Sequence, residues 1–175
     1  MMRFVKLIYI VFCFFVLNCN NSSSNNQTQE VETTVDENQI SQKDIENLKY
    51  VDIGLSNASK KAVSNWQKFQ ELSNHIDFLK QGDLSFVKSE ITLVDVFFAE
   101  LKTQIPKSIN TNAIASRLTV LETKFYKAND LLLIDNISKK EKLKGIKELL
   151  IAVSNLNLQI DKKFELETNN VKRPN

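Results

Sequence analysis

Between Leu84 and Ile105 the apolar side chains recur at alternating spacings of 3 and 4: Leu84, Val87, Ile91, Val94, Phe98, Leu101 and Ile105. Strands repeat every second residue, so this seam predicts a long helix. Pro106 ends it, because proline lacks the N–H the helix needs and clashes with the preceding turn. A second seam, Ile114, Leu118, Leu121, Phe125, Ala128 and Leu132, predicts another helix, capped by Thr111 or Asn112 and closed at Asp135-Asn136. A third runs Leu143, Ile146, Leu150, Val153, Asn157, Ile160 and Phe164 behind a capping box, Ser138 with Glu141. Upstream, Ala62, Trp66, Phe69, Ile76 and Leu79 predict a helix from about Asn57 to Gln81, with Gly82 as its left-handed cap. Asp83 or Ser85 would then cap the helix that follows. Ile45, Leu48 and Val51 or Asp52 hint at a short helix before Gly54.

The four long segments span about 22 to 30 residues each, and short loops force consecutive helices to run antiparallel. The expected fold is all-α, an up-down-up-down four-helix bundle roughly 35–40 Å long at about 1.5 Å per residue. With only 3 glycines and 2 prolines in the chain, a turn-rich β fold is disfavoured. Wide apolar stripes, such as Phe97 beside Phe98 and Leu149 beside Leu150, favour a monomer over a hairpin pair that completes its core by dimerising.

The pattern changes at the N-terminus. Arg3 and Lys6 accompany an apolar run from Phe4 to Leu17, which is too short to span a bilayer and suits a secretory signal. Cys19 follows immediately, and after it an Asn/Ser tract. The lipobox match is partial: Val16 stands where leucine is usual, Leu17 is bulky and Asn18 is not small. The expectation is cleavage before Cys19 and acylation of that cysteine, with stable attachment because two or more chains are carried. The predicted organisation is a signal peptide over 1–18, Cys19 with a disordered tether over 19–43, a helical domain over 44–169 and a tail over 170–175.

Charge refines this picture. Without Arg3 and Lys6, the chain's 23 basic residues fall to 21, against 21 acidic ones, so no global field would attract nucleic acid. Residues 19–46 carry six acids and one base, while residues 47–175 carry 20 bases and 15 acids. The single histidine, His75, and the absence of methionine beyond position 2 leave no ligand set for a di-iron or haem bundle. No metal, cofactor or catalytic residues are assigned. With Cys19 acylated, no disulfide is available.

Three features carry weight. Lys139, Lys140, Lys142, Lys144 and Lys147 form a basic start to the last helix, placed by the topology beside the Gly82 turn and opposite the tether's entry, as a candidate partner surface. A lysine-rich solvated helix accounts for the same run. Trp66 and Phe69 share a face and are read as core. Asn157 on the last seam and Arg117, expected to pair with Glu100, are read as structural.

The Asn-Cys-Asn-Asn-Ser start, the Asn65-Trp66 pair, Ser116-Arg117-Leu118-Thr119-Val120-Leu121-Glu122-Thr123 and Ser154-Asn155-Leu156-Asn157-Leu158-Gln159-Ile160 resemble small lipoproteins of Bacteroidota, particularly Flavobacteriia. The resemblance implies an address and a helical fold, with no activity attached. In that group early acids after the cysteine accompany surface export. The first here is Glu30, which implies a periplasm-facing position on the outer membrane. The expected role is a non-enzymatic binding or scaffolding module, held to the membrane by acyl chains on Cys19 and meeting an envelope protein or glycan. The alternative is a carrier or sensor for a small apolar ligand, which needs a dry cavity among Trp66, Phe98 and Phe125.

Overall fold

A computed structural model describes residues 39–168, and all regular structure within them is helical. The predicted signal peptide, Cys19, the tether up to residue 38 and the tail lie outside the described residues. Six helices are present: α1 (Gln42–Glu46), α2 (Asn57–Ala62), α3 (Gln67–Lys80), α4 (Ile91–Thr103), α5 (Asn112–Leu133) and α6 (Lys139–Thr168).

Packing begins earlier than residue 44. Ile40 and Ile45 are buried, and Ser41 opens α1 with a reciprocal capping box to Asp44. The short helix hinted at by Ile45 therefore spans Gln42–Glu46 and ends well before Gly54.

Two of the long helices predicted from the seams are broken, each where a side-chain amide takes a backbone carbonyl. The segment from Asn57 to Gln81 splits at Val63–Trp66. There the Val63 carbonyl accepts both the Trp66 N–H (3.0 Å) and the Gln70 side-chain amide (2.8 Å). Trp66 becomes the N-cap of α3, and its ring is fully buried. The helix expected from Leu84 starts only at Ile91. Asn129, buried on α5, donates to the carbonyls of Val87 (2.6 Å) and Ser89 (2.9 Å), which a continuous helix would keep for its own amides. Residues 85–88 form turns instead, and α4 has 13 residues.

The later boundaries follow the predicted signals. Thr111 caps α5 by accepting the Ile114 N–H, and Ser138 caps α6 by accepting the Glu141 N–H while donating to its carboxylate. Gly82 adopts φ of 95°, the left-handed conformation expected of a helix-ending glycine. A Cβ there would also sit 3.1 Å from the Gln42 backbone nitrogen, so this turn accepts only glycine while α1 packs behind it.

Consecutive long helices pack antiparallel. On α3 and α4, Trp66 meets Leu101 and Lys68 meets Glu100. Between α4 and α5, Phe98 meets Phe125, with ring centroids 5.3 Å apart, and Tyr126 donates to Asp95 at 2.6 Å. Between α5 and α6, Lys124 and Lys127 both reach Glu148 at 2.9 Å. This last pair is the closest, because Gly145 presents no side chain to Ala128: a Cβ there would lie 3.6 Å from the Ala128 Cα. α6 is flanked on its other side by α1 and α2.

One core group binds two helices by a polar contact. The Trp66 indole N–H donates to the Leu101 carbonyl at 3.0 Å. Leu101 lies in the last turn of α4, where carbonyls have no amide partner within the helix. Trp66→Phe keeps much of the apolar volume and strands that buried carbonyl. It should cost about 1–3 kcal/mol, read from urea unfolding, whereas substitution of exposed Ser116 should change little.

Candidate functional site

Asn157 lies on the face of α6 that holds the segment before α2. Its side-chain amide donates to the Ile53 carbonyl at 2.8 Å, and the Ser154 hydroxyl accepts the Ile53 N–H at 3.3 Å. One turn further, the Asp161 carboxylate accepts the Ser56 N–H at 3.0 Å. Spacings of 3 and 4 bring these three side chains onto one face of α6, where they hold the extended strap before α2. A carbonyl can only accept, so the Asn157 nitrogen must face Ile53. Its Oδ1 is left buried without a partner.

A cleft of about 470 Å³ runs beside this strap, over Phe69, Ile76 and Val153, with the Lys80–Asp52 ion pair (2.7 Å) at its rim. A second cleft, of about 610 Å³, lies where the described chain begins. Gln39 and Ile40 share it with Gly82, Asp83, Lys88 and Lys142. The third, of about 260 Å³, lies against α4 and is walled by Phe86, Phe97, Leu93 and Val96, with Lys68 and Glu100 beside them. None of the three is lined by Trp66, Phe98 or Phe125. Phe98 and Phe125 are in edge-to-face contact and Trp66 stacks on Phe69 at 5.0 Å, so rings fill the space an internal apolar ligand would need.

The lysine-rich start of α6 does lie beside the Gly82 turn, since Lys142 and Gly82 share the second cleft. It is not opposite the chain's entry. Gln39 and Ile40 line the same cleft, and Lys139 pairs with Asp44 of α1 at 2.8 Å. The physical reason is α1, which Gly82 admits against its backbone and which returns the chain to this end. Lys139 is thereby a structural tie. Lys140, Lys142, Lys144 and Lys147 are in no ion pair among the described residues.

The expected Arg117–Glu100 pair does not form. Phe98 against Phe125 and Lys102 against Glu122 set the α4–α5 register about one turn away from Leu101 opposite Leu118. Glu100 is held by Lys68 at 3.0 Å, and Arg117 is exposed.

The shifted titrations have structural causes. Hydrogen bonding from Lys139 holds the Asp44 carboxyl down at about 2, and Lys124 and Lys127 together do the same for Glu148. Burial, then the Asp95 carboxylate that its hydroxyl serves, pushes Tyr126 up to about 12. Burial lowers His75, whose ring lies flat on Phe86 with centroids 3.9 Å apart and edge-on to Phe97. Among the described residues no three His, Cys, Asp or Glu side chains gather in a way that could hold a metal ion. No helix there is long and apolar enough to cross a membrane.

Two features were invisible to periodicity. The Asn129 hydrogen bonds depend on carbonyls some forty residues upstream, and the strap-holding face of α6 depends on a non-helical segment about a hundred residues away. The outward face of α4 is the third surface of note. Leu93 is 63% and Val96 57% exposed, with Ile91 also exposed.

His75 has a lowered pKa in the folded chain, so the unfolded chain binds its proton first as pH falls below the ordinary 6.5. Its contribution to stability is complete above that value and is lost as pH drops through the folded value. Between about pH 7 and 5, above the range where the paired carboxylates titrate, the wild type should lose stability and His75→Leu should flatten the profile. Denaturant midpoints against pH check this; equal slopes would contradict it. No protein-family model, curated protein or solved structure matches this chain.

Proposed function

We propose that this chain is a lipid-anchored, non-enzymatic binding or scaffolding module of the bacterial cell envelope. Residues 1–18 act as the signal peptide, and Cys19 carries the acyl chains that hold the domain on the outer membrane, facing the periplasm. The short apolar run from Phe4 to Leu17, Cys19 two residues after it and the Asn/Ser tract that follows support this reading, as does the resemblance to small Bacteroidota lipoproteins. In it, α3 to α6 are the four members of an up-down-up-down bundle, wedged on one side by α1, α2 and the strap.

The observation that carries binding over catalysis is the outward face of α4. Leu93 and Val96 lie one turn apart, largely exposed, beside the groove walled by Phe86 and Phe97. Contiguous apolar surface of this kind marks interaction sites. Among the described residues, the carboxylates held furthest down, Asp44 and Glu148, are both engaged in surface ion pairs. The partner in this reading is an envelope protein that presents an apolar surface to the groove.

Expression in a Bacteroidota host tests both halves. Intact mass should equal Cys19–Asn175 plus acyl chains, and Cys19→Ala should leave the membrane fraction. An unlipidated soluble wild type would overturn the anchor. A photo-crosslinking residue at Leu93 or Val96 should give a discrete adduct identifiable by mass spectrometry, and one at Ser116 should not. Equal labelling at all three positions would overturn the groove as the docking face.

A further inference from the structure

We propose that the cleft beside the strap binds a small neutral molecule with an apolar body and at least one N–H or O–H donor. This site shares no lining residue with the groove on α4. It is also separate from the space among Trp66, Phe98 and Phe125, which rings fill.

Gln70, Ser73 and Asn157 are the neutral polar side chains in the cleft wall, and each gives a hydrogen to a carbonyl of the protein itself. Gln70 donates to Val63 at 2.8 Å, Ser73 to Phe69 at 2.9 Å and Asn157 to Ile53 at 2.8 Å. Each keeps a side-chain oxygen that accepts from no described residue. For Asn157 this weighs most. Its nitrogen is committed to Ile53, and its Oδ1 is buried without a partner. Leaving a buried acceptor unpaired is costly, so the group that suits this wall is a donor.

Charge and shape narrow the ligand further. Lys60 and Lys80 line the cleft against Asp52 and Asp77, so the charges of the wall cancel, and Lys80 is already joined to Asp52 at 2.7 Å. A net charge on the ligand would gain little there. Leu55, Val63, Phe69, Ile76 and Val153 supply apolar surface for its body. The volume of about 470 Å³ falls within the roughly 300–1,000 Å³ of small-molecule sites. The walls come from α3, α6 and the strap, and the strap is fixed to α6 through Ser154 and Asn157, so the site is formed before a ligand arrives. Gly54 leaves the strap's side open, since a Cβ there would meet nothing within 4 Å.

Indole and benzofuran test this, because they share one shape and only indole carries an N–H. Each is titrated into the full chain carrying Cys19→Ala, and binding is followed by amide chemical shifts. Indole should bind saturably and move the signals of Gly54, Ser73 and Val153. Benzofuran should bind at least about fivefold more weakly, because it leaves the buried acceptor unpaired. Ser73→Leu fills the cleft from α3 and removes only a hydrogen bond within that helix. It should abolish indole binding while the dispersion of its spectrum shows that it folds. Equal affinity for indole and benzofuran would overturn the proposal, as would the absence of any saturable shift. So would shifts confined to Leu93 and Val96 on α4, or undiminished binding by the folded Ser73→Leu chain. The comparison of the two molecules holds on the unsubstituted cleft even where Ser73→Leu fails to fold. The anchor and the α4 face are read separately, by mass and by crosslinking.

Discussion

The indole of Trp66, buried at the junction of α2 and α3, fixes much of what surrounds it. Its N–H closes the C-terminal end of α4 by taking the Leu101 carbonyl. Its ring stacks on Phe69, so the start of α3 is held against the end of α4. From that end Lys68 reaches Glu100, and the rings of Phe97, Phe98, Phe86 and Phe125 interlock edge to face along the rest of the pair. A buried aromatic cluster of this kind contributes both area and geometry, since edge-to-face pairs fix relative orientation where aliphatic contacts leave it loose. The α4–α5 register follows from it, and so does the outward direction of Leu93 and Val96.

How much of this was legible in the sequence varied with range. The α5 seam is buried residue for residue, and both α5 and α6 begin at their local capping signals, Thr111 and Ser138 with Glu141. On α6 the core face is shared between seam residues Ile146, Leu150 and Ile160 and the off-seam Leu149, Ala152 and Leu156. Trp66 was legible as core, but not as a helix start, because its indole acceptor lies 35 residues away. The seam from Leu84 reads through a break, since Val87 is buried whether or not its backbone is helical. Only Asn129, from a different helix, shows that the backbone there turns. Arg117 failed for a related reason: register between helices depends on ring packing, and a one-turn slip preserves every apolar spacing. Of the candidate surface, the lysines were plain. Their position relative to the chain's entry was not, because it depends on the short helix α1 folding back behind Gly82.

These placements give the proposed envelope module two distinct regions. At the end where the described chain begins, Lys88 and Lys142 line the second cleft together with Asp83. On the flank, α4 carries an apolar face that the domain itself does not cover. The strap held by Ser154, Asn157 and Asp161 closes a third side and keeps α2 against α6.

The docking face can be read directly by crosslinking the acylated protein in the envelope. The account predicts that Leu93→Asp with Val96→Asp, both largely exposed side chains, abolishes the partner adduct while leaving the melting temperature unchanged. An adduct of equal yield from that variant would contradict it.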